Sequence, residues 1–259
     1  MPALHSLLRP RRVLLAAGLA LSLGAPLGAA AQQITVSAAA SLTDAFKEIG
    51  PRFEAGRPGV TVRFNFAASG VLLQQITQGA PADVFASADQ ETMNRGIEQK
   101  LLDPDTRRDF AANTLVLIVP AQGTPPVAGV ADLAGAAVKR IAVGKTATVP
   151  VGRYTQQALT GAGLWTALEP KFVQADSVRQ VLDYVARGEV EAGFVYRTDA
   201  ALMSDKVKVV QTVEGHAPVR YPLAVVSESR NKALARNFTA FLLGAEGQAM
   251  LARYGFAKP

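Results

Sequence analysis

The sequence predicts an α/β fold in which mostly parallel sheets carry helices on their faces. Three observations point there. Strand-like and helix-like hydrophobic periods alternate along the chain, glycine and proline fall at the junctions between them, and no internal repeat breaks the order.

Ile34-Thr35-Val36-Ser37-Ala38 reads as the first strand. From Ser41 the period lengthens, and Leu42, Ala45, Phe46, Ile49 and Phe53 fall on one helical face. Val60, Val62, Phe64 and Phe66 then alternate with Thr61, Arg63 and Asn65, which is strand spacing. Val71 to Thr77 is a short helix ended near Gly79 and Pro81. Asp83 to Ala86 is a strand, Thr92 to Lys100 is helical, and Thr114 to Val119 is a buried strand stopped by Pro120. Residues 122–126, Gln-Gly-Thr-Pro-Pro, read as a loop. Arg140 to Val143 is a strand, and Pro150 opens a helix that runs to about Thr160, closed by Gly161 and Gly163. Val178, Val181, Leu182 and Val185 mark a helix capped by Asp176 or Ser177 and ended before Gly188. Ala192–Tyr196, Lys206–Val210 and Tyr221–Val226 are strands. Two helices finish the chain, one built on Leu234, Phe238 and Phe241, the other closed by Gly255.

Residues 1–31 read differently. Arg9, Arg11 and Arg12 precede an apolar run, Val13 to Leu23, and small residues lead to Ala29-Ala30-Ala31. That order predicts a secretory signal peptide cleaved after Ala31. The run is shorter than the ~20 residues of a spanning helix. Arg11-Arg12 leaves export by a twin-arginine route open. No cysteine follows the cleavage region, which argues against a lipid anchor.

The chain has 27 basic and 21 acidic residues, and without the three leader arginines 24 face 21. No basic block with interleaved aromatics is present, so nucleic acid is a poor partner. Cysteine is absent, which excludes disulfides, zinc–thiolate sites and cysteine nucleophiles. His216 alone remains after processing, in a segment that reads as a surface turn.

Four places share one local grammar: a strand ends in small or hydroxyl residues and a helix begins at once. They are Ala39-Ala40-Ser41-Leu42, Ala67-Ala68-Ser69-Gly70-Val71, Val149-Pro150-Val151-Gly152 and Asp176-Ser177-Val178-Arg179. A helix start leaves N–H groups without intrahelical partners and carries about half a positive charge, so an anion can bind there. Each place alone is ordinary. Ser41 reads as a cap, Ser69-Gly70 as a turn, Val151 and Val178 as helix residues, and Tyr196 as a packing residue at a strand end. Together they lie beyond the carboxyl ends of strands, where open α/β sheets hold ligands.

The same residues resemble the periplasmic molybdate-binding proteins of ABC transporters. The similarity is carried by residues 34–43, by Gly79-Ala80-Pro81-Ala82-Asp83-Val84-Phe85-Ala86-Ser87-Ala88-Asp89, by Gly193-Phe194-Val195-Tyr196 and by Arg253-Tyr254-Gly255-Phe256. It runs in order over essentially the whole mature chain. It implies a two-lobed periplasmic-binding-protein fold (type II), each lobe a mixed, mostly parallel sheet flanked by helices, joined by two hinge strands. Residues 32–113 plus 221–259 would form the first lobe and 114–220 the second, with crossings near Asn113–Thr114 and Tyr221. By resemblance, Ser41 and Ser69 supply hydroxyl and backbone donors from the first lobe, Val178 a backbone N–H from the second, and Tyr196 its hydroxyl. Val151 stands where the family often has alanine, and its bulk could narrow the pocket. Arg153 is also unusual and is expected at the cleft mouth. The resemblance further implies a monomeric, non-enzymatic protein without cofactor or direct metal ligands. Its ligand would be molybdate or tungstate, and its partner a permease in the inner membrane.

A fully deprotonated tetrahedral dianion suits a site made of donors, whereas hydrogenphosphate needs an acceptor for its proton. Sulfate shares molybdate's shape and charge but is smaller, so another oxyanion such as sulfate is an alternative ligand. Ferric ion is another, although Tyr196 is followed by Arg197 rather than a second tyrosine. A secreted hydrolase using Ser41 or Ser69 would need His216 as its base, and no G-x-S-x-G elbow is present.

Overall fold

Apolar or small residues at successive positions of 34–39 suit a strand covered on both faces. The first strand, β1 (Gln32–Ala39), is buried from Ile34 onward except at Thr35. The computed structural model describes residues 32–123 and 127–259, all within the compact unit Ala31–Pro259. The signal peptide read at 1–31, and residues 124–126 of the predicted loop, lie outside the described residues.

A 3₁₀ turn, Ala40–Leu42, leads from β1 into α1 (Thr43–Ala55). Then come β2 (Val60–Ala67), α2 (Ser69–Thr77), β3 (Val84–Ala86), α3 (Gln90–Glu98) and β4 (Arg108–Ala112). The chain crosses to β5 (Leu115–Pro120), β6 (Ile141–Gly144), α4 (Pro150–Gly161), α5 (Trp165–Leu168) and β7 (Phe172–Ala175). It continues through α6 (Val178–Ala186), β8 (Ala192–Tyr196), α7 (Arg197–Leu202) and β9 (Val207–Thr212). It returns in β10 (Arg220–Val225) and ends with α8 (Lys232–Leu243) and α9 (Ala245–Arg253). Among the described residues, no helix is long and apolar enough to cross a membrane.

Two five-stranded sheets result, ordered β2-β1-β3-β10-β4 and β7-β6-β8-β5-β9. Each has three parallel strands followed by two antiparallel to their neighbours. With their helices they form two lobes. The crossings run side by side: the Asn113 N–H donates to Val219 O at 3.0 Å and the Val213 N–H to Leu115 O at 2.9 Å. In the first lobe Phe46 and Phe53 of α1 meet Phe238 of α8 with ring centroids 6.2 and 5.3 Å apart. All three rings are fully buried, each worth about 1.5–3 kcal/mol relative to exposure.

Four elements carry no sequence expectation. β4 begins with two charged residues, Arg108-Asp109; β7 and α5 have four residues each; α7 starts directly after β8. None is long enough to display a period. The helix expected from Ser41 is preceded by the 3₁₀ turn, so Ser41 lies inside the first turn, with Ala39 before it.

Candidate functional site

β1 and β2 run parallel in one sheet, β6, β7 and β8 in the other. Their carboxyl ends deliver Ala39, Ala67, Gly144, Ala175 and Tyr196 toward the space between the lobes. That space holds a small, tight cavity lined by Ser41, Ser69, Val151, Val178, Tyr196 and small neighbours such as Ala40 and Ala88. The five residues singled out in the sequence are thus brought together on one cavity. α2 begins at Ser69, α4 at Pro150 and α6 at Val178, so three helix starts face it. Its lining has no acidic or basic side chain. A larger surface groove passes Thr35, Asp83 and Ser229. Of its two carboxylates, Asp83 is spent on the Thr35 N–H (2.8 Å) and the Ser229 hydroxyl (2.6 Å).

Each hydroxyl in the cavity is prepared in its own way. Ser69 Oγ accepts the Ala88 N–H at 3.0 Å, so the serine's proton is left for another acceptor. Ser41 Oγ lies 3.0 Å from the Tyr221 hydroxyl. The Tyr196 hydroxyl is buried and has no partner among the described residues. Burial, with nearby Tyr221 and Tyr154, pushes its pKa well above 10, so it stays a donor. Ser177 caps α6 by accepting the Gln180 N–H at 3.2 Å, leaving Val178 as the first helical residue. Val151 is fully buried, and its Cγ1 lies 3.1 Å from where a Cβ on Gly144 would stand. Some of its bulk is therefore taken up by packing over a glycine. A Cβ on Gly152 would come within 1.9 Å of Gly144 O, so both glycines let α4 close onto β6.

The lobes touch around the cavity. Gly70 donates its N–H to Thr148 O at 2.9 Å. Arg153 is not at an open cleft mouth, as the sequence suggested; it is 8% exposed and bound to Asp89 and Thr92 of the opposite lobe. Its position two residues after Val151, on the inward face of α4, turns it across the cleft. Arg179 bonds Asp199 at 2.6 Å in its own lobe and Asp44 at 2.7 Å in the other. Burial disfavours its charge, but the two carboxylates outweigh that and hold its pKa above the ordinary value. Sequence reasoning missed Asp44, Asn113 and Tyr221 as parts of this assembly. Asp89 and Arg179 stand inside the quoted motifs, and that adjacency was the one available signal.

His216 places its ring nitrogens 2.6 Å from the Ala217 oxygen and 2.9 Å from the Val213 oxygen, one of them the acceptor of its N–H, and packs edge-on against Tyr154. Neither Ser41 nor Ser69 is among its partners. Among the described residues, no group of three or more histidines, cysteines or acids could hold a metal ion.

Residues 34–257 match the family of bacterial extracellular solute-binding proteins. The molybdate-binding protein ModA of Escherichia coli is 40% identical over 251 residues, covering 93% of this chain and 95% of its own length. ModA of Mycobacterium tuberculosis H37Rv is 39% identical over 230 residues, covering 88% and 86%. Among solved structures, the periplasmic molybdate-binding protein of Azotobacter vinelandii superposes with a TM-score of 0.74 at 26% identity, over 87% of this chain and 99% of that one. The sulfate-binding protein SubI of M. tuberculosis superposes at 0.78 with 19% identity, over 88% and 87%, and shares the fold. Two lobes closed around a small donor-lined cavity, with a match that spans residues 34–257, make the assignment plain: this chain belongs to the bacterial extracellular solute-binding proteins, in the branch of the molybdate-binding proteins.

Proposed function

We propose that this protein captures molybdate, with tungstate as a close competitor, in the periplasm and delivers it to an ABC importer. The observation that carries the reading is the buried Tyr196 hydroxyl, a donor without a partner among the described residues, in a cavity lined by two serines and no carboxylate. Ser41, Ser69 and Tyr196 give hydroxyl donors, while Val151 and Val178 give backbone N–H groups at helix starts. Each charge-assisted hydrogen bond is worth about 1.5–3 kcal/mol net. Five to seven of them support a dissociation constant near the nanomolar range, about −12 kcal/mol, after ordering and closure costs. The donors come from both lobes, so the anion binds the closed form better and shifts the hinge equilibrium toward it.

The chain reaches the periplasm through cleavage of the leader after Ala31 and works as a monomer, without cofactor and without catalysing a reaction. The permease reads the closed, loaded form. Sulfate is the competing ligand within this fold, and cavity size separates it from molybdate. Ferric ion is disfavoured because the lining offers one tyrosine and no carboxylate. Isothermal titration of the mature protein with molybdate, tungstate and sulfate tests the reading. Nanomolar molybdate with weak sulfate is the expected result, and a preference for sulfate overturns it.

A further inference from the structure

We infer that Asn113 and Tyr221, at the two hinge crossings, orient the Ser41 hydroxyl so that its proton rather than a lone pair faces the anion cavity. The inference rests on the oxyanion reading of the site and names two residues that position a donor within it.

The direction of each hydrogen bond follows from its neighbour. Asn113 Oδ1 accepts the backbone N–H of Thr114 at 2.9 Å. A backbone amide can only donate, so the other end of the Asn113 side chain is the NH₂ group, which also can only donate. That Nδ2 lies 3.2 Å from the Tyr221 hydroxyl and 2.8 Å from Thr198 Oγ1. The Tyr221 oxygen therefore accepts. Its own proton has Ser41 Oγ at 3.0 Å as its acceptor. Were Ser41 to donate instead, the Tyr221 proton would be buried without a partner, which folded proteins avoid. Tyr221 is fully buried, so water does not offer it another choice. Burial, with the Asp199 charge nearby, also pushes its pKa well above 10, so the proton is retained. Ser41 thus accepts from Tyr221, and its own proton is left for the cavity that it lines.

The polarity of the site is in this way fixed at the hinge. Asn113 stands between β4 and β5, Tyr221 in β10, and Thr198 in α7 of the second lobe. Ser69 reaches the same state through the Ala88 N–H. Both serines then offer protons, which favours an oxyanion without a proton and penalises hydrogenphosphate.

Isothermal titration with molybdate and with inorganic phosphate near neutral pH tests this on the mature chain, on Tyr221→Phe, on Asn113→Asp and on the double variant. Asn113→Asp turns the donor into an acceptor. Tyr221 then donates to the introduced carboxylate, Ser41 donates to Tyr221, and a lone pair faces the anion. Molybdate affinity should fall on the order of 10–100-fold. Tyr221→Phe keeps the ring and frees the Ser41 hydroxyl to rotate, so molybdate should weaken by about 3–10-fold and the molybdate-to-phosphate ratio should fall. In the Tyr221→Phe background the added cost of Asn113→Asp should shrink to within about 3-fold. An equal cost in both backgrounds, which a simple charge or packing effect gives, overturns the relay. If Asn113→Asp does not fold, Tyr221→Phe decides alone, and an unchanged molybdate-to-phosphate ratio overturns the relay. A wild-type chain that binds no tetrahedral oxyanion overturns the proposed function and the relay together, so the two failures are distinct.

Discussion

Arg153 of the second lobe holds Asp89 of the first, with Nε at 2.8 Å and Nη2 at 2.5 Å from the same carboxylate oxygen. The pair is almost fully buried, with side-chain exposures of 9% and 5%. Its remaining valences are also used. Arg153 donates to Thr92 Oγ1 and to the carbonyl of Thr146, and Asp89 Oδ1 accepts the Thr92 N–H that starts α3. The closed cleft is therefore latched beside the anion cavity by an ion pair that opening would hydrate.

Arg153→Met should act on closure more than on folding. In the closed form Asp89 would be buried without its partner, and truncating one member of such a pair costs about 2–5 kcal/mol. In the open form water replaces the arginine. Molybdate affinity should drop by that amount while the unfolding midpoint of the ligand-free protein moves little. Small-angle scattering should report a more open ligand-free chain. Unchanged affinity would mean that the lobes close without the latch.

Removing either serine hydroxyl should weaken molybdate by about 1–3 kcal/mol, the worth of a hydrogen bond to a charged group. Each serine also satisfies a buried donor, Ser69 the Ala88 N–H and Ser41 the Tyr221 hydroxyl. Both variants should lower the unfolding midpoint as well as affinity. Calorimetry and thermal unfolding on the two variants check both parts. Unchanged binding in both would place the anion elsewhere.

Two glycines separate closure from stability. A Cβ on Gly70 would stand 2.7 Å from the Thr148 backbone of the other lobe. Gly70→Ala should therefore obstruct closure and lower molybdate affinity at least 10-fold, about 1.4 kcal/mol, with a near-normal unfolding midpoint. A Cβ on Gly152 would stand 1.9 Å from Gly144 O within one lobe. Gly152→Ala should instead destabilise the ligand-free protein, by about 1–3 kcal/mol as overpacking does. Thermal unfolding and titration of both variants should give opposite patterns.

The sequence makes the strand–helix grammar legible because its residues report on local needs. Small side chains at Ala39-Ala40 and Ala67-Ala68, proline at Pro150 and a cap at Ser177 mark helix starts whatever the tertiary structure. Ser41, Ser69, Val151 and Val178 could be gathered that way, and Tyr196 through the family resemblance of its strand. The cross-lobe partners could not. Arg153–Asp89 spans 64 positions and Arg179–Asp44 spans 135, and nothing local distinguishes either arginine from one on a solvated helix face. The Ser41–Tyr221 contact spans 180 positions and depends on where the returning strand lies in the sheet. β4 and β7 escaped for a related reason, since strands of five and four residues are held by their neighbours more than by a period of their own.

Asp199 pairs with Arg179 through one oxygen, while its other oxygen is buried without a hydrogen-bond partner among the described residues. Burial pushes its carboxyl up to about 6 from 3.8, against the pull of Arg179. Between those values the folded chain keeps a proton that the unfolded chain has released. The stabilisation from this group is thus complete below about 4, declines as pH rises, and is gone above about 6. The change is on the order of 1–3 kcal/mol. Asp199→Asn keeps the shape and removes the titration. Unfolding midpoints of the ligand-free protein measured from pH 4 to 7 should therefore show a downward component in the wild type that the variant lacks. Parallel profiles for the two proteins would show that Arg179 keeps Asp199 ionised throughout the range.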